Sequence, residues 1–368
     1  MGLLGLSGCG SPSSASVEMS SQTELVKTGS MELQYAENFA VDYYKDGYKM
    51  LTTLPDSKRY LIVPEGQPVP RGLDEDVSIL QEPLQNIYLV ASGVMDMFAS
   101  VDAVDQIRFS GQKQENWYIQ TAKDAMAAGD MIYAGKYSKP DYELLVSEGC
   151  DLAIENRMIT HSPEVVEMLQ SFGIPVMIEY SSYEQHPLGK VEWVKFFGAL
   201  TGKEAEAEEA FAEQTEILEK VERGEKTGKT IAFFYVTSNG LIQVRQSTDY
   251  IPKLIELAGG RYIFEDLEDS GSGRSTLNMQ VEDFYAGAKD ADILIYNSSI
   301  DGGVTTLDEL IGKCNILKDF KALQEGQVYC TTNDMYQQSM AIGYLLQDMH
   351  TVLTDDDTAK LRYLFLLQ

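Results

Sequence analysis

The chain has 368 residues, 44% of them hydrophobic, 10% aromatic and 23% charged, proportions that supply real cores and exclude wholesale disorder or a collagen-like structure. With 57 acidic against 29 basic residues and a formal net charge of -28, the surface repels phosphate backbones, which excludes nucleic acid as a partner. No stretch reaches the roughly 18 to 20 apolar residues of a membrane-spanning helix, and a length well beyond the roughly 100 to 200 residues of one domain predicts two lobes.

At the N-terminus, Leu6-Ser7-Gly8-Cys9 resembles the lipobox of bacterial lipoproteins, in which the cysteine sulfur carries a diacylglycerol after signal cleavage. A Ser-rich run from Gly10 to Ser30 follows and cannot bury enough apolar surface to fold. Residues 1–30 therefore read as a lipid anchor at Cys9 on a flexible tether. Only Met1 to Gly8 precede the cysteine, without a basic region, so a shortened signal and a chance match both stay open.

From Met31 to about Arg71 short strand-like runs, Phe39-Ala40-Val41 and Tyr60-Leu61-Ile62-Val63, are separated by turn signals and predict an N-terminal flap of strands. Asn86 to Val90 is a continuous apolar run of the buried-strand kind, followed by Ala91-Ser92-Gly93 and a helical pattern from Val94 to about Ser100. The same grammar recurs at Leu152 to Ile154, Pro175 to Ile178, Ile231 to Tyr235, Ile293 to Ile295 and Gln327 to Tyr329. Strands alternating with helical stretches predict an α/β architecture of mainly parallel sheets flanked by helices. Asp151 to Asn156 and Asp292 to Asn297 share an Asp, an apolar strand and an Asn at one spacing, which reads as an internal duplication or as chance likeness of two buried strands.

Between the halves, Ala207, Ala210, Phe211, Ile217, Leu218 and Val221 share one helical face. The acidic start at Glu204 and the basic end at Lys220 and Arg223 suit the macrodipole, and Gly224 supplies a stop. This predicts one rigid rod of roughly 30 Å joining two lobes: 31–203 before it, 204–224 the helix itself, 225–368 after it.

Four cysteines without a Cys-x-x-Cys pair, and three histidines, give a zinc site little to be built from. Cys150, Cys314 and Cys330 read as small core residues, with a Cys314 to Cys330 disulfide as the alternative. His186, beside Pro187 at the start of a helical stretch, reads as a capping residue rather than a ligand. No Gly-x-Ser-x-Gly elbow, Walker loop or His-Glu-x-x-His motif occurs, and Gly271-Ser272-Gly273-Arg274 lacks the third glycine of a dinucleotide loop. A binding protein is expected rather than an enzyme; a catalytic chain or a structural lipoprotein are the rival classes.

The ordered set of Asn86 to Val90 with its Ser-Gly loop, Tyr133-Ala134-Gly135-Lys136-Tyr137, Gly149 to Ile154, Leu169 to Val176 and Tyr183 to Gly198 resembles the helical-backbone substrate-binding proteins of ATP-binding-cassette importers, class III, cluster A, in their iron-complex branch. The resemblance implies two α/β lobes joined by one long helix, with ligand in the cleft between them and little closure. It also implies an extracytoplasmic, lipid-anchored monomer on the outer face of the cell membrane. Such a protein carries no cofactor of its own and delivers a ferric siderophore, or else haem or cobalamin, to a permease and its ATPase. Permease docking falls to one surface acid on each lobe, at positions matching Glu143 and Asp283.

Ligands of α/β lobes sit beyond the carboxyl ends of the strands. The candidates there are Trp117, Tyr118, Tyr137, Arg157, Met158, Tyr180 and Tyr183 from the first half and Arg245, Arg274, Met279 and Tyr336 from the second. Arginine suits the carboxylate or catecholate oxygens of an anionic chelate, and aromatic rings suit its planar rim. Haem would take one axial ligand, for which Tyr137, Tyr183, Met279 and Tyr336 each qualify.

Overall fold

The structure, a computed structural model, describes residues 24–267, 275–298, 303–355 and 358–368. Cys9 with its lipobox, and Arg274 with the adjoining Gly271-Ser272-Gly273, lie outside the described residues.

The chain opens with a five-stranded sheet: β1 (Lys27–Ser30), β2 (Phe39–Tyr44), β3 (Lys49–Thr53), β4 (Lys58–Val63) and β5 (Val77–Gln81), in that spatial order. All neighbours are antiparallel except β4 and β5. The tether expected through Ser30 therefore stops short of it. Lys27–Ser30 pairs with β2, Lys27 meets Asp42 at 2.7 Å, and Ser30 Oγ donates to Asp42 at 2.7 Å, so polar side chains hold an edge strand that has no apolar face.

In the N-lobe, β6 (Ile87–Leu89), β7 (Ile107–Ser110), β8 (Ile132–Tyr133), β11 (Leu152–Asn156) and β12 (Val176–Glu179) form one parallel sheet in the order β12-β11-β6-β7-β8. A small hairpin, β9 (Gly135–Lys136) and β10 (Lys139–Pro140), precedes β11. The crossovers carry α1 (Val94–Ser100), α2 (Gln120–Ala128), α3 (Tyr142–Ser147) and α4 (Pro163–Ser171). Because two layers cover the sheet, its strands are apolar on both faces: Leu152 and Ile154 point into the main core, Ala153 into a second core with Tyr88 and Phe109.

Two consecutive helices then lead out of the lobe, α5 (Pro187–Thr201) and α6 (Glu204–Glu222). α5 is buried from Pro187 to Leu200 and carries its charges inside. Glu192, wholly buried, accepts the main-chain N–H groups of Gln34, Tyr35 and Ala36 at 2.8 to 3.1 Å, and Glu184 accepts those of Glu37 and Asn38 and the indole N–H of Trp193. Two glutamates thereby fasten the first sheet to this helix. His186 accepts the Leu188 N–H through Nδ1 at 3.2 Å and stacks on Tyr35, so it caps α5. On α6 the predicted apolar face is buried at Ala207, Phe211, Leu218 and Val221, and the same face hides Gln214, whose Oε1 accepts the Gly343 N–H at 2.9 Å.

The C-lobe sheet has the order β16-β14-β13-β17-β18-β19, with β15 (Arg261–Tyr262) pairing β13. Its parallel centre is β13 (Thr230–Val236), β17 (Ile293–Tyr296) and β18 (Val328–Thr331). β14 (Ile242–Arg245), β16 (Thr276–Met279) and β19 (Leu364–Leu366) join antiparallel. Helices α7 (Tyr250–Leu257), α8 (Val281–Ala288), α9 (Leu307–Lys313), α10 (Lys321–Gln324) and α11 (Ile342–Thr354) surround it. The two echoing segments play one part in both lobes. Asp151 accepts the N–H groups of Gln85 and Asn86 at the head of β6, and Asp292 accepts the N–H and the hydroxyl of Thr230 at the head of β13, each the neighbouring strand in its sheet. Cys314 and Cys330 are buried in the C-lobe core and are not joined in a disulfide, and half-buried Cys150 is in none either.

Candidate functional site

The lobes meet at the carboxyl ends of their strands. The loop after β6 lies so close to the segment before α11 that a Cβ on Gly93 would sit 2.9 Å from Ser339 Oγ. On α1, Asp96 accepts the Met340 N–H at 2.7 Å across the seam. The loop after β7 is tied to the loop after β18 by Gln337, which accepts the Tyr118 N–H at 2.7 Å and donates to the Asn116 carbonyl at 2.8 Å.

At this mouth the half-exposed rings of Tyr118 and Tyr336 face one another from opposite lobes, edge to face with centroids 6.5 Å apart. After β11 and β12 the Arg157 guanidinium lies 4.4 Å from the Tyr183 ring centroid, and the Tyr180 ring is 6.5 Å from that of Tyr183. Met158 beside them is exposed, whereas Tyr180 is almost fully covered. In the C-lobe, Ser298 after β17 donates its N–H to the Thr331 hydroxyl oxygen at 2.9 Å and its hydroxyl lies 3.1 Å from Asn333 Oδ1, so the loops after β17 and β18 form one hydrogen-bonded block.

The floor between the lobes is charged and buried. Lys190 of α5 is buried, lies 4.8 Å over the Tyr250 ring, and its charge acts on Glu179, Asp249 and Asp96. Burial raises the carboxyls of all three. Asp96 reaches about 6, with the Met340 hydrogen bond and Lys190 opposing and Asp334 adding to the rise. A recess of about 360 Å³ opens beside this floor between His186 and Tyr35 on one side and Asp249 and Lys253 on the other. A concavity of about 740 Å³ lies elsewhere: Gln85, Asn86, Asp102, Arg108 and Asp130 line it at the amino ends of the N-lobe strands, away from the aromatic mouth.

Several sequence candidates occupy other places. Trp117, expected in the cleft, is 1% exposed in the N-lobe core, where its indole N–H donates to Ser110 Oγ at 3.0 Å; the loop after β7 turns it inward and Tyr118 outward. Arg245, expected to meet ligand, sits within the C-lobe, 3.5 Å from Asp249 and 5.6 Å from the Phe233 ring centroid, because β14 runs antiparallel and carries it away from the carboxyl end. Tyr137 is half-buried in the β9–β10 turn against the second N-lobe core, and Met279 ends β16 opposite Ile242, packed against the C-lobe core. Glu143 and Asp283 are exposed on the first turns of α3 and α8. The seam residues Asp96 and Gln337 were not singled out from sequence, since each is a lone polar residue in a loop or short helix. Among the described residues no cluster of three or more His, Cys, Asp or Glu could hold a metal ion, and no helix is long and apolar enough to cross a membrane.

No protein-family model matches the chain. An uncharacterised lipoprotein of Methanocaldococcus jannaschii is 24% identical over 351 residues, spanning 87% of this chain and 81% of that one. Among solved structures, the periplasmic haem-binding protein of Vibrio cholerae superposes with a TM-score of 0.58 at 15% identity, covering 73% of this chain and 98% of that one. An ABC-type Fe3+-hydroxamate transport protein of Saccharomonospora viridis gives 0.56 at 16% identity, covering 73% and 93%. These solved neighbours are transport and binding proteins, not enzymes. The chain shares the two-lobed α/β fold of periplasmic solute-binding proteins.

Proposed function

We propose that the protein is an extracytoplasmic solute-binding lipoprotein that takes a chelated iron complex, a ferric siderophore first, between its lobes and passes it to an ABC permease. One observation carries this reading: the loops at the carboxyl ends of the strands carry aromatic side chains and a cation, with Tyr118 of the N-lobe facing Tyr336 of the C-lobe and, after β11 and β12, Arg157 resting on Tyr183. Rings can stack on a chelate's rim and a guanidinium can meet its anionic oxygens, a local attraction needed by an anionic ligand in a chain of net charge -28. Cys9 would carry the lipid, in keeping with the lipoprotein name of its Methanocaldococcus relative. Glu143 and Asp283, exposed on separate lobes, would meet basic residues of the permease.

The test is retention of iron, haem or cobalt by the purified monomer in ultrafiltration against a ferric hydroxamate, a ferric catecholate, haemin and cobalamin. Saturable submicromolar binding of one class is expected, weakened about tenfold or more by Arg157→Ala or Tyr183→Ala. Retention of haemin or cobalamin alone would move the reading to that ligand, and retention of none would reject it. A Glu143→Arg, Asp283→Arg protein should bind normally yet fail to stimulate the transporter's ATPase.

A further inference from the structure

Gln337 is wholly buried in the loop after β18, and every polar atom of its side chain is used at the seam. Oε1 accepts the Tyr118 N–H at 2.7 Å, while Nε2 donates to the Asn116 carbonyl at 2.8 Å and to the Tyr336 hydroxyl at 3.1 Å. A main-chain N–H can only donate and a carbonyl can only accept, so these partners fix which way the amide points. With both N–H protons and the oxygen engaged, the side chain has one orientation, and it holds one tyrosine by its main chain and the other by its hydroxyl. Beside it, the Asp96 to Met340 hydrogen bond and the tight Gly93 to Ser339 contact hold the same two segments together.

The rings thus held are separated by 6.5 Å between centroids and are 44% and 39% exposed. That separation is close to twice the roughly 3.5 Å of a carbon–carbon contact. A flat conjugated group between two ring faces needs about 7 Å, so its entry requires one phenol to turn from the edge-to-face arrangement and the rings to part by only about half an ångström.

We propose that Gln337 is the positioning residue of the cleft: it sets Tyr118 and Tyr336 as a cross-lobe clamp that selects ligands with a planar conjugated rim, such as an iron catecholate, over wholly aliphatic chelates. The selectivity rests on the cleft being the ligand site; the positioning does not. The test uses the full chain with 3-fluorotyrosine at position 118, first without ligand. Gln337→Met keeps the length and removes the hydrogen bonds, and it should move the fluorine resonance toward that of a solvent-exposed tyrosine, as should Tyr336→Leu. Where the methionine variant does not fold, Gln337→Glu, which keeps the acceptor and loses both donors, gives the same reading. Titration with a ferric catecholate and an aliphatic ferric hydroxamate should then show about a tenfold loss for the catecholate alone, with Tyr336→Leu adding nothing further. An unmoved resonance, or equal losses for both chelates, overturns the proposal. Binding of neither chelate by the wild-type protein rejects the iron-chelate reading, while the ligand-free resonance still decides the positioning role.

Discussion

The Asp96 carboxylate, on the first helix of the N-lobe, and the Met340 main-chain N–H, at the head of the last long helix of the C-lobe, are joined by a 2.7 Å hydrogen bond across the seam. Lys190, Asp334 and Tyr363 face the same carboxylate. Burial pushes its pKa up to about 6, so the docked lobes hold the proton more tightly than the unfolded chain does. Stability conferred by the neutral form is then present below about pH 4 and falls as pH rises through about 6. We predict that between these limits the wild-type protein loses roughly 2 kcal/mol relative to Asp96→Asn, discounted for the partial exposure of the group. Urea unfolding at both pH values checks this. Parallel pH profiles for the two proteins would exclude Asp96 as the titrating group.

Glu192 supports a second junction. Its buried carboxylate takes three main-chain N–H groups from Gln34, Tyr35 and Ala36, with Lys195 3.6 Å away. Truncation leaves three main-chain donors without their acceptor, while Lys195 keeps Glu208 at 2.9 Å, so Glu192→Ala should cost about 3 to 5 kcal/mol and expose the chain around residue 34 to protease. Calorimetry with limited proteolysis measures both, and a loss below about 1 kcal/mol with intact protection would show that the first sheet is held by apolar packing instead.

Trp117 and Tyr118 are neighbours in sequence with opposite assignments. Trp117→Phe removes a buried hydrogen bond to Ser110 and some volume, and should cost roughly 1 to 3 kcal/mol while leaving ligand affinity within about twofold. Tyr118→Ala, at a half-exposed ring, should change stability by less than about 1 kcal/mol and lower affinity about tenfold. Thermal unfolding beside a binding isotherm separates them; the reverse pattern would place the indole in the cleft after all.

These neighbours also show where sequence reasoning reaches. Continuous apolar runs such as Asn86 to Val90 and Ile231 to Tyr235 announced the buried parallel strands, because only a sheet covered on both faces tolerates them. The face of Ala207, Phe211, Leu218 and Val221 announced α6, and Pro187 after His186 announced a capped helix start. Antiparallel β14 and β16 gave no such signal, and with them went the position of Arg245, whose place at one or the other end of the sheet depends on strand direction. Which of Trp117 and Tyr118 turns outward depends on Ser110 and Gln337, the latter more than 200 residues downstream. Polar seam residues are single side chains without periodicity, so their roles become visible only when the lobes are brought together.

Glu155 offers the sharpest electrostatic test. It lies on β11 in the N-lobe interior, 0% exposed, and neither carboxyl oxygen has a hydrogen-bond partner. Burial alone pushes its pKa up to about 8, and its charge would act on the Tyr88 and Tyr142 hydroxyls nearby. The neutral acid is tolerated, but the anion is not. Folding therefore retains a proton that the unfolded chain releases near its ordinary value of about 4.3, and stability drains away as pH climbs from there through about 8. Glu155→Gln, similar in shape and never charged, should remove this slope. The variant should change stability little at pH about 4 and be more stable than wild type by roughly 3 kcal/mol or more at pH about 9. Denaturant unfolding of both proteins across that range decides it: a wild-type advantage that persists at alkaline pH would mean that the carboxylate is ionised and paired inside the lobe.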